Sequence, residues 1–241
     1  MSGRLVLRRG SERLRVGPWR GQSDIAYLTP VPDSAPPSLT LVEHCVSQLA
    51  SMGYREAVTG ALAPVEQVGF LAAGFEIREH LHLLTHDLAV LPDLPAPPLR
   101  RARRGDWDDV LALDALAFDE FWRLDEAGLS EALSATPTVR FRVTPVEQRI
   151  AGYAVAGKAG RRGYLQRLAV DPDHQGCGLG LALTIDSLRW MRRRNAEVAL
   201  VNTQLVNQRA YDLYVSLGFR PEPDGLGVLR RSVGTPAETT Q

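Results

Sequence analysis

YLQRLAVDPDHQGCGLGLAL, residues 164–183, is the stretch that decides the fold. It predicts a buried strand, a short turn, a loop rich in glycine and the start of a helix. Gly176, Gly178 and Gly180 stand at alternate positions, so the loop before the helix carries few side chains. Bare backbone N–H groups and the positive end of the helix dipole then meet at one place, which suits a pyrophosphate.

The glycine loop alone leaves other sites to consider. A dinucleotide-binding turn needs the spacing Gly-x-Gly-x-x-Gly and a later acidic residue, and a nucleoside-triphosphate loop needs Gly-Lys-Ser/Thr. The loop has neither spacing. A tight turn that needs glycine for a positive φ stays open at this point.

A second block, NTQLVNQRAYDLYVSLGF at residues 202–219, narrows the choice. It follows the order Asn-x-x-Ala-x-x-x-Tyr-x-x-x-Gly-Phe through Asn207, Ala210, Tyr214, Gly218 and Phe219. The first block follows Gln/Arg-x-x-Gly-x-Gly/Ala through Gln175, Gly178 and Gly180. Together the blocks resemble the GNAT superfamily of acyl-CoA-dependent N-acyltransferases, over residues 99–232.

The resemblance implies an α/β fold in which helices flank a mixed, V-splayed central sheet. It also implies an enzyme that moves an acetyl group from acetyl-CoA to a primary amine by direct attack in a ternary complex. No Cys/His or Ser/His pair points to a covalent route. A non-catalytic acyl-CoA-binding sensor or scaffold is the alternative, and a structural interaction protein without CoA binding is the third reading.

By resemblance, the cofactor-binding residues lie at the end of the central strand, in the glycine loop and at the start of a later helix: Leu168, Ala169, Val170, Gln175, Gly176, Cys177, Gly178, Leu179, Gly180 and Asn207. The strand end should pair with the pantetheine arm, and the Leu168 N–H should polarise the thioester carbonyl. Tyr214 matches the tyrosine that protonates the leaving thiolate. Two other roles stay open: Tyr214 as a half-buried helix aromatic, and Asn207 as a helix N-cap.

The general base is left unassigned, because the central strand carries no carboxylate. Glu197 opens the next strand, and Asp119 and Glu120 lie near the first helices, where acceptors are often recruited in the family. An α-amine with a pKa near ~8 needs less help than a lysine near ~10.4. We therefore expect an α-amine, a small-molecule amine or a water-relayed base, with a small molecule or a protein N-terminus as the acceptor.

Composition limits the partners. The 241 residues hold 28 Lys and Arg against 28 Asp and Glu, and this zero formal charge argues against nucleic acid or a membrane surface as a general partner. The two cysteines, Cys45 and Cys177, imply no disulfide framework. No signal-type or membrane-length apolar segment occurs, so we expect a cytoplasmic protein. The sequence does not indicate an oligomeric state.

Prolines concentrated between Leu91 and Leu99 predict a linker. The predicted units are 1–91, the linker 92–98, a catalytic domain at 99–232 and a disordered tail at 233–241. In the first unit we predict strands at 5–9, 13–16, 25–31 and 56–62, and helices at 39–52 and 64–73. In the second we predict strands at 99–103, 139–143, 149–156, 164–170, 197–203 and 226–231, and helices at 179–195 and 208–217. We also predict a helix from Asp106, with Val110, Leu111, Leu113, Ala115 and Leu116 at helical spacing, and a broken helical region at 118–134.

Sliding the chain by 144 positions brings Gly74-Phe75 onto Gly218-Phe219 and aligns the preceding helix, strand and helix. The first unit is therefore interpreted as a shortened, degenerate GNAT-like unit, although two similar α/β layers would also produce the match. It has alanine and phenylalanine where the second unit has Asn207 and Tyr214, and PDSAPPS (32–38) in place of a glycine loop. We predict that it does not bind acyl-CoA; the arrangement resembles tandem GNAT proteins of the mycothiol synthase type.

His80, His82 and His86 share one strand parity, and a continuous strand would place them on one face. Surface imidazoles are the commoner case, and cysteines or an acidic cluster are missing from this segment. We predict no metal site.

Overall fold

The computed structural model describes residues 5–92, 99–147 and 149–234. The helices are α1 (Leu39–Ser51), α2 (Pro64–Ala72), α3 (Trp107–Ala117), α4 (Glu126–Ser134), α5 (Leu179–Arg193) and α6 (Gln208–Ser216). The strands are β1 (Leu5–Arg9), β2 (Glu12–Trp19), β3 (Gln22–Pro30), β4 (Glu56–Thr59), β5 (Glu76–His86), β6 (Arg100–Arg101), β7 (Thr138–Val146), β8 (Arg149–Ala159), β9 (Arg162–Val170), β10 (Val198–Gln204), β11 (Arg220–Pro221) and β12 (Leu226–Ser232). Most of the predicted linker (92–98) and tail (233–241) lies outside the described residues.

The chain forms two compact units whose limits differ from the predicted ones. The first unit runs to His82 and takes up the chain again from Pro223, and the second runs from Leu83 to Glu222. Strand β12 explains much of the difference, because it pairs antiparallel with β4 and with the first part of β5. The prediction that residues 226–231 close the sheet of the second unit is therefore wrong.

In the first unit, β1, β2 and β3 are antiparallel neighbours, and β3 then pairs in parallel with β4. Helix α1 connects the two parallel strands and buries an apolar face at helical spacing. Its Leu41, Cys45 and Leu49 join Phe70 of α2 and Leu229 of β12 in one core. The C-terminal strand is thus part of the core of the N-terminal unit.

The second unit has a mixed sheet with different helices on its two faces. Strands β6 to β9 are antiparallel neighbours, and β9 pairs in parallel with β10. On β8, Ala154 and Ala156 pack in the cluster that contains α5 and α6, whereas Tyr153 and Val155 pack in the cluster with α3 and α4. This alternation confirms the predicted α/β class and its flanking helices.

The two units share an order of elements. In each, antiparallel strands lead into a parallel pair joined by a helix, and a further helix follows that pair. Adding 144 to the limits of α2, Pro64–Ala72, gives the limits of α6, Gln208–Ser216. The two helices therefore occupy matching places, as expected for an internal repeat.

Across the part of the chain that the structure describes, no helix combines the length and the hydrophobicity that crossing a membrane requires.

The position of β12 predicts which unit a core mutation weakens. Leu229 of β12 is fully buried in the first unit and Leu188 of α5 is 1% exposed in the second. Each change to alanine should cost about 2–5 kcal/mol of stability. Hydrogen exchange should show Leu229→Ala loosening the amides of α1, and Leu188→Ala those of α5. Faster exchange in α5 with α1 unaffected in Leu229→Ala would contradict this assignment of β12.

Candidate active site

The glycine loop connects the end of β9 to the start of α5. Gly176 and Gly178 have φ angles of +83° and +81°, a region that residues with a Cβ rarely adopt. A Cβ built on either residue would find nothing within 4 Å, so the space beside the loop is open. Gly178 is the N-cap residue of α5 and Leu179 the first helical residue, and no side chain caps this helix start. Its N–H groups are free for an anion.

Side-chain contacts hold this loop in place. The Gln175 side chain donates from Nε2 to the Val170 carbonyl at 3.3 Å, and Arg209 of α6 donates to Gln175 Oε1. Cys177 is exposed, with its Sγ 4.0 Å from the Gln175 carbonyl. Gly180 lies in the first turn of α5, where a Cβ would come 3.4 Å from Leu213 of α6. The loop is thus tied both to β9 and to α6.

Strands β9 and β10 separate early. Their parallel pairing covers Arg162, Gly163 and Tyr164 of β9 and ends at the pair Tyr164–Leu200. A β-bulge follows at once: Val155 and Ala156 of β8 face Arg167 and Leu165, so Gln166 is an extra residue in β9. Bulges bend a strand and increase its twist. The predicted V-shaped splay therefore begins at Gln166.

The register shows which backbone groups face the splay. The N–H of Asp171 donates to the Ala151 carbonyl at 2.9 Å. Because hydrogen-bonding groups alternate along an antiparallel pair, Arg167 and Ala169 also face β8. Leu168 and Val170 then direct their N–H and C=O groups to the opposite edge, beyond the last pair with β10. These backbone groups lie where the pantetheine arm is predicted, whereas Ala169, the third predicted residue of this stretch, directs its own groups to β8.

Tyr214 lies on α6 and is only 4% exposed. Its ring packs against Phe219, with the ring centroids 5.6 Å apart. Burial raises the pKa of the Tyr214 hydroxyl well above its ordinary value. A tyrosine with its ordinary pKa of ~10 is already protonated at neutral pH, so burial keeps the proton in place but makes the hydroxyl a weaker acid.

Asn207 is the N-cap of α6, which is one of the two roles predicted for it. Its Oδ1 accepts a hydrogen bond from the Ala210 N–H at 3.1 Å. The side-chain nitrogen of the same amide is still available for a ligand.

The sequence analysis missed a buried polar cluster on the other face of β9. Asp114 of α3 is completely buried, and Arg167 of β9 donates to both of its oxygens at 2.8 Å. The Tyr153 hydroxyl also donates to Asp114, and burial raises the pKa of Tyr153. The signal in the sequence was an aspartate next to Leu113, on the apolar face of a predicted helix.

Two of the three carboxylates considered as bases have other partners, and the third is exposed. Glu197 pairs with Arg161, and its N–H donates to the Arg161 carbonyl at 2.8 Å. Both residues lie just before the N-terminal ends of β9 and β10, where these strands are paired. Asp119 accepts a hydrogen bond from the Trp122 N–H at 3.2 Å within a local turn, and Glu120 is exposed. The general base therefore stays unassigned.

The three histidines do not act together. His80 is exposed in the first unit, whereas His86 is 4% exposed in the second. The Leu88 N–H donates to His86 Nδ1 at 2.8 Å, so Nε2 carries the proton and donates to the Leu217 carbonyl at 3.1 Å. Within the described ranges, no three His, Cys, Asp or Glu side chains come together as a metal site.

The region that holds this site is similar to known acetyltransferases. Residues 107–219 match the model of the acetyltransferase (GNAT) family. A mycothiol acetyltransferase of Acidothermus cellulolyticus is 34% identical over 183 residues, an alignment that covers 65% of this chain and 56% of that protein. One of Thermobispora bispora is 29% identical, with 80% and 75% covered. The chain thus spans little more than half the length of the first of these relatives.

Solved structures extend the likeness to the fold. A tandem GNAT protein from the clavulanic acid biosynthesis pathway has a TM-score of 0.66, with 94% of this chain and 81% of that chain covered. Since its sequence identity is 16%, this likeness concerns the fold alone.

His86 predicts a pH dependence of stability. Burial lowers the pKa of His86 below its ordinary value of 6.5. In acid, this histidine therefore binds a proton more readily in the unfolded chain than in the folded one. The free energy of unfolding should fall as the pH drops below 6.5. For His86→Gln, this free energy should fall less than for wild type. Denaturant titrations at pH 7.5 and 5.5 measure this, with the exposed His80→Gln as the control. If the free energy of unfolding changed equally with pH in wild type and His86→Gln, His86 would not be the source of the pH dependence.

Proposed function

We propose that this protein transfers an acetyl group from acetyl-CoA to a primary amine in a ternary complex, because residues 107–219 match the model of the acetyltransferase (GNAT) family. The observation that carries the proposal is the open edge of β9. Its Leu168 and Val170 backbone groups face a gap that begins where pairing with β10 ends, and the glycine loop follows after residues 171–174.

The chain's own residues fit a CoA ester along this edge. The N–H groups at the start of α5 would hold the pyrophosphate, with Gly176 and Gly178 leaving room for it to approach. Leu168 and Val170 would pair with the amide groups of the pantetheine arm, as a strand edge pairs with a peptide, whereas the backbone groups of Ala169 face β8. Asn207 would contact the same arm from the start of α6.

The first unit supports the proposal by contrast. There the parallel pair β3–β4 stays hydrogen-bonded to the end of β4, and the Gly60 N–H continues the ladder to the Leu28 carbonyl at 2.9 Å. At the start of α1, Glu12 accepts hydrogen bonds from the N–H and the hydroxyl of Ser38. A strand gap and a free anion site are both missing here among the described residues, so we propose that this unit does not bind acyl-CoA.

Chemistry follows from the same groups. The amine nitrogen attacks the thioester carbon, the C–N bond forms and the C–S bond breaks. The Leu168 N–H would stabilise the charge that grows on the carbonyl oxygen, an effect worth about 3 kcal/mol for one well-placed donor. Tyr214 would give its proton to the departing thiolate where the sulfur is poorly solvated, and the amine loses one proton to a base or to water.

The acceptor is proposed as a small amine. Both relatives described above are named for mycothiol, so amines of mycothiol metabolism are the first acceptors to test. An α-amine or another amine of low pKa suits a site in which the acidic candidates Glu197 and Asp119 have other partners.

The rival function is an acyl-CoA-binding sensor or scaffold. It requires the same loop and strand edge, and it predicts that acetyl-CoA binds without turnover. Burial of Tyr214 against Phe219 fits a packing role as well as a proton donor, so turnover separates the two functions.

Tyr214→Phe separates the two functions. If Tyr214 protonates the thiolate, this change should lower kcat about 100-fold, within the usual range for a general acid, and leave the Kd for acetyl-CoA within twofold. Release of free CoA measures turnover, and calorimetry measures binding. Tyr211→Phe removes the hydroxyl of another tyrosine of the same helix. It is the matched control and should retain activity. Acetyl-CoA binding with no release of CoA for any amine of a broad panel would support the sensor instead.

A further inference from the structure

Two arginines of β7 meet one carboxylate of α5. Arg140 and Arg142 alternate with Phe141 and Val143, which pack in the cluster of α3 and α4. Because side chains alternate along a strand, Arg140 and Arg142 project from the other face of β7, toward α5. Arg140 donates two hydrogen bonds to Asp186 of α5, both at 2.7 Å, and so forms a bidentate ion pair.

Strand β6 places a third arginine directly opposite Arg142. Arg101 and Arg142 are register partners, and the Ala102 N–H donates to the Phe141 carbonyl at 3.1 Å. This hydrogen bond makes Arg101 and Arg142 a non-hydrogen-bonded pair, the kind in which facing side chains come closest. Like charges that face each other in this way destabilise an antiparallel sheet. The edge of the sheet therefore holds two positive charges together at a cost in stability.

Arg142 lacks the partner that a largely buried guanidinium needs. Its side chain is 24% exposed, and its Nε lies 3.7 Å from an Asp186 oxygen that already accepts from Arg140. Among the described residues, this buried Nε has no hydrogen-bond partner. Burial and the charge of Arg140 lower the pKa of the Arg142 guanidinium, and the charges of Arg101 and Arg193 lower it further. Positive charge thus exceeds negative charge around Arg142.

Arg193 lies seven residues after Asp186 and hence two turns along the same side of α5. We call four residues the arginine cluster: Arg101, Arg140, Arg142 and Arg193. In the part of the chain that the structure describes, Asp186 is the one carboxylate paired with any of them, so four positive charges against one negative charge leave three. Arg101 and Arg193 are exposed, so a ligand can reach the cluster from solvent.

The neighbouring Arg100 shows the arrangement that the cluster lacks. Its register partner Val143 packs on the α3 and α4 side of the sheet, so Arg100 faces away from Arg142. It donates to both oxygens of Asp106, each at 2.7 Å. A charge that is repelled and only partly satisfied, next to one that is fully paired, is typical of a functional site.

The cluster is separate from the glycine loop. That loop lies near α6, where a Cβ on Gly180 would come 3.4 Å from Leu213, whereas Asp186 faces β7. Gly180 and Asp186 are six residues apart, so they point about 120° apart around the helix. Asp186 also lies about 10 Å along α5 from Leu179, the first helical residue. An anion at the helix start therefore leaves the cluster free.

We propose that the arginine cluster is a second anion site, which binds the phosphate or diphosphate group of a small ligand. Guanidinium groups bind phosphate oxygens through pairs of parallel hydrogen bonds. Three uncompensated charges at one place suit a compact anion, whereas nucleic acid needs a basic stripe along its backbone. The zero formal charge of the chain also argues against a polyanion. Such a site does not require that the protein be an acetyltransferase.

Calorimetric titration with inorganic pyrophosphate tests the site, with CoA present at saturation to occupy the glycine loop. Wild type should bind pyrophosphate, and Arg142→Met should raise its Kd at least tenfold. Arg100→Met removes an arginine of the same short strand and is the matched control, with a Kd within twofold of wild type. Parallel titrations with inorganic phosphate and with glycerol 1-phosphate show whether the free anion or a phosphate ester binds more tightly.

Thermal unfolding provides a second readout. Without ligand, Arg142→Met should keep or raise the Tm, because it removes a repelled charge and a buried unpaired donor. Pyrophosphate should raise the Tm of wild type more than that of Arg142→Met, since a ligand stabilises the state that binds it. If Arg142→Met does not fold, Arg101→Met on the exposed edge replaces it and should raise the Kd at least fivefold.

Equal pyrophosphate affinity in wild type and in the folded variants of Arg142 and Arg101 would overturn the proposal. Binding of tetraglutamate without binding of any phosphate probe would also overturn it, in favour of a carboxylate ligand. If CoA does not bind, the proposed acetyl transfer fails, whereas the same comparison of variants without CoA still decides whether the cluster binds phosphate.

Discussion

The early separation of β9 from β10 is the constraint on which the second unit depends. Their pairing ends at Tyr164–Leu200, and the extra residue Gln166 bends β9 immediately afterwards. Without that bend, β10 would hydrogen-bond to Leu168 and Val170, and a thioester would find no free backbone groups. The glycine loop and Tyr214 have their proposed roles relative to this edge.

The first unit shows that the order of strands and helices does not by itself produce such a site. It has the same parallel pair joined by a helix, yet β3 and β4 stay paired and Glu12 accepts hydrogen bonds at the start of α1. A few local features therefore separate the two units: a bulge, two glycines with positive φ, and a helix start without a carboxylate. The C-terminal strand β12 adds Leu229 to the core of this first unit.

Local sequence signals predicted most of the elements and the loop. Alternating glycines before a helix require a particular backbone, and the Asn207 N-cap is a local interaction between neighbouring residues, so both are readable from short stretches. Long-range partners were not readable in the same way. Nothing in residues 226–231 distinguishes pairing with β4 from pairing in the second unit, and Asp114 meets Arg167 only after 53 residues. The Gln166 bulge depends on the register with β8, which a single strand does not reveal.

A crystal structure of the protein with acetyl-CoA tests the central claim most directly. The account predicts that the pantetheine arm lies in the gap between β9 and β10, with the Leu168 N–H about 2.9 Å from the thioester oxygen and the pyrophosphate at the N-terminus of α5. CoA bound elsewhere, or a gap closed by hydrogen bonds between Leu168 and β10, would contradict it.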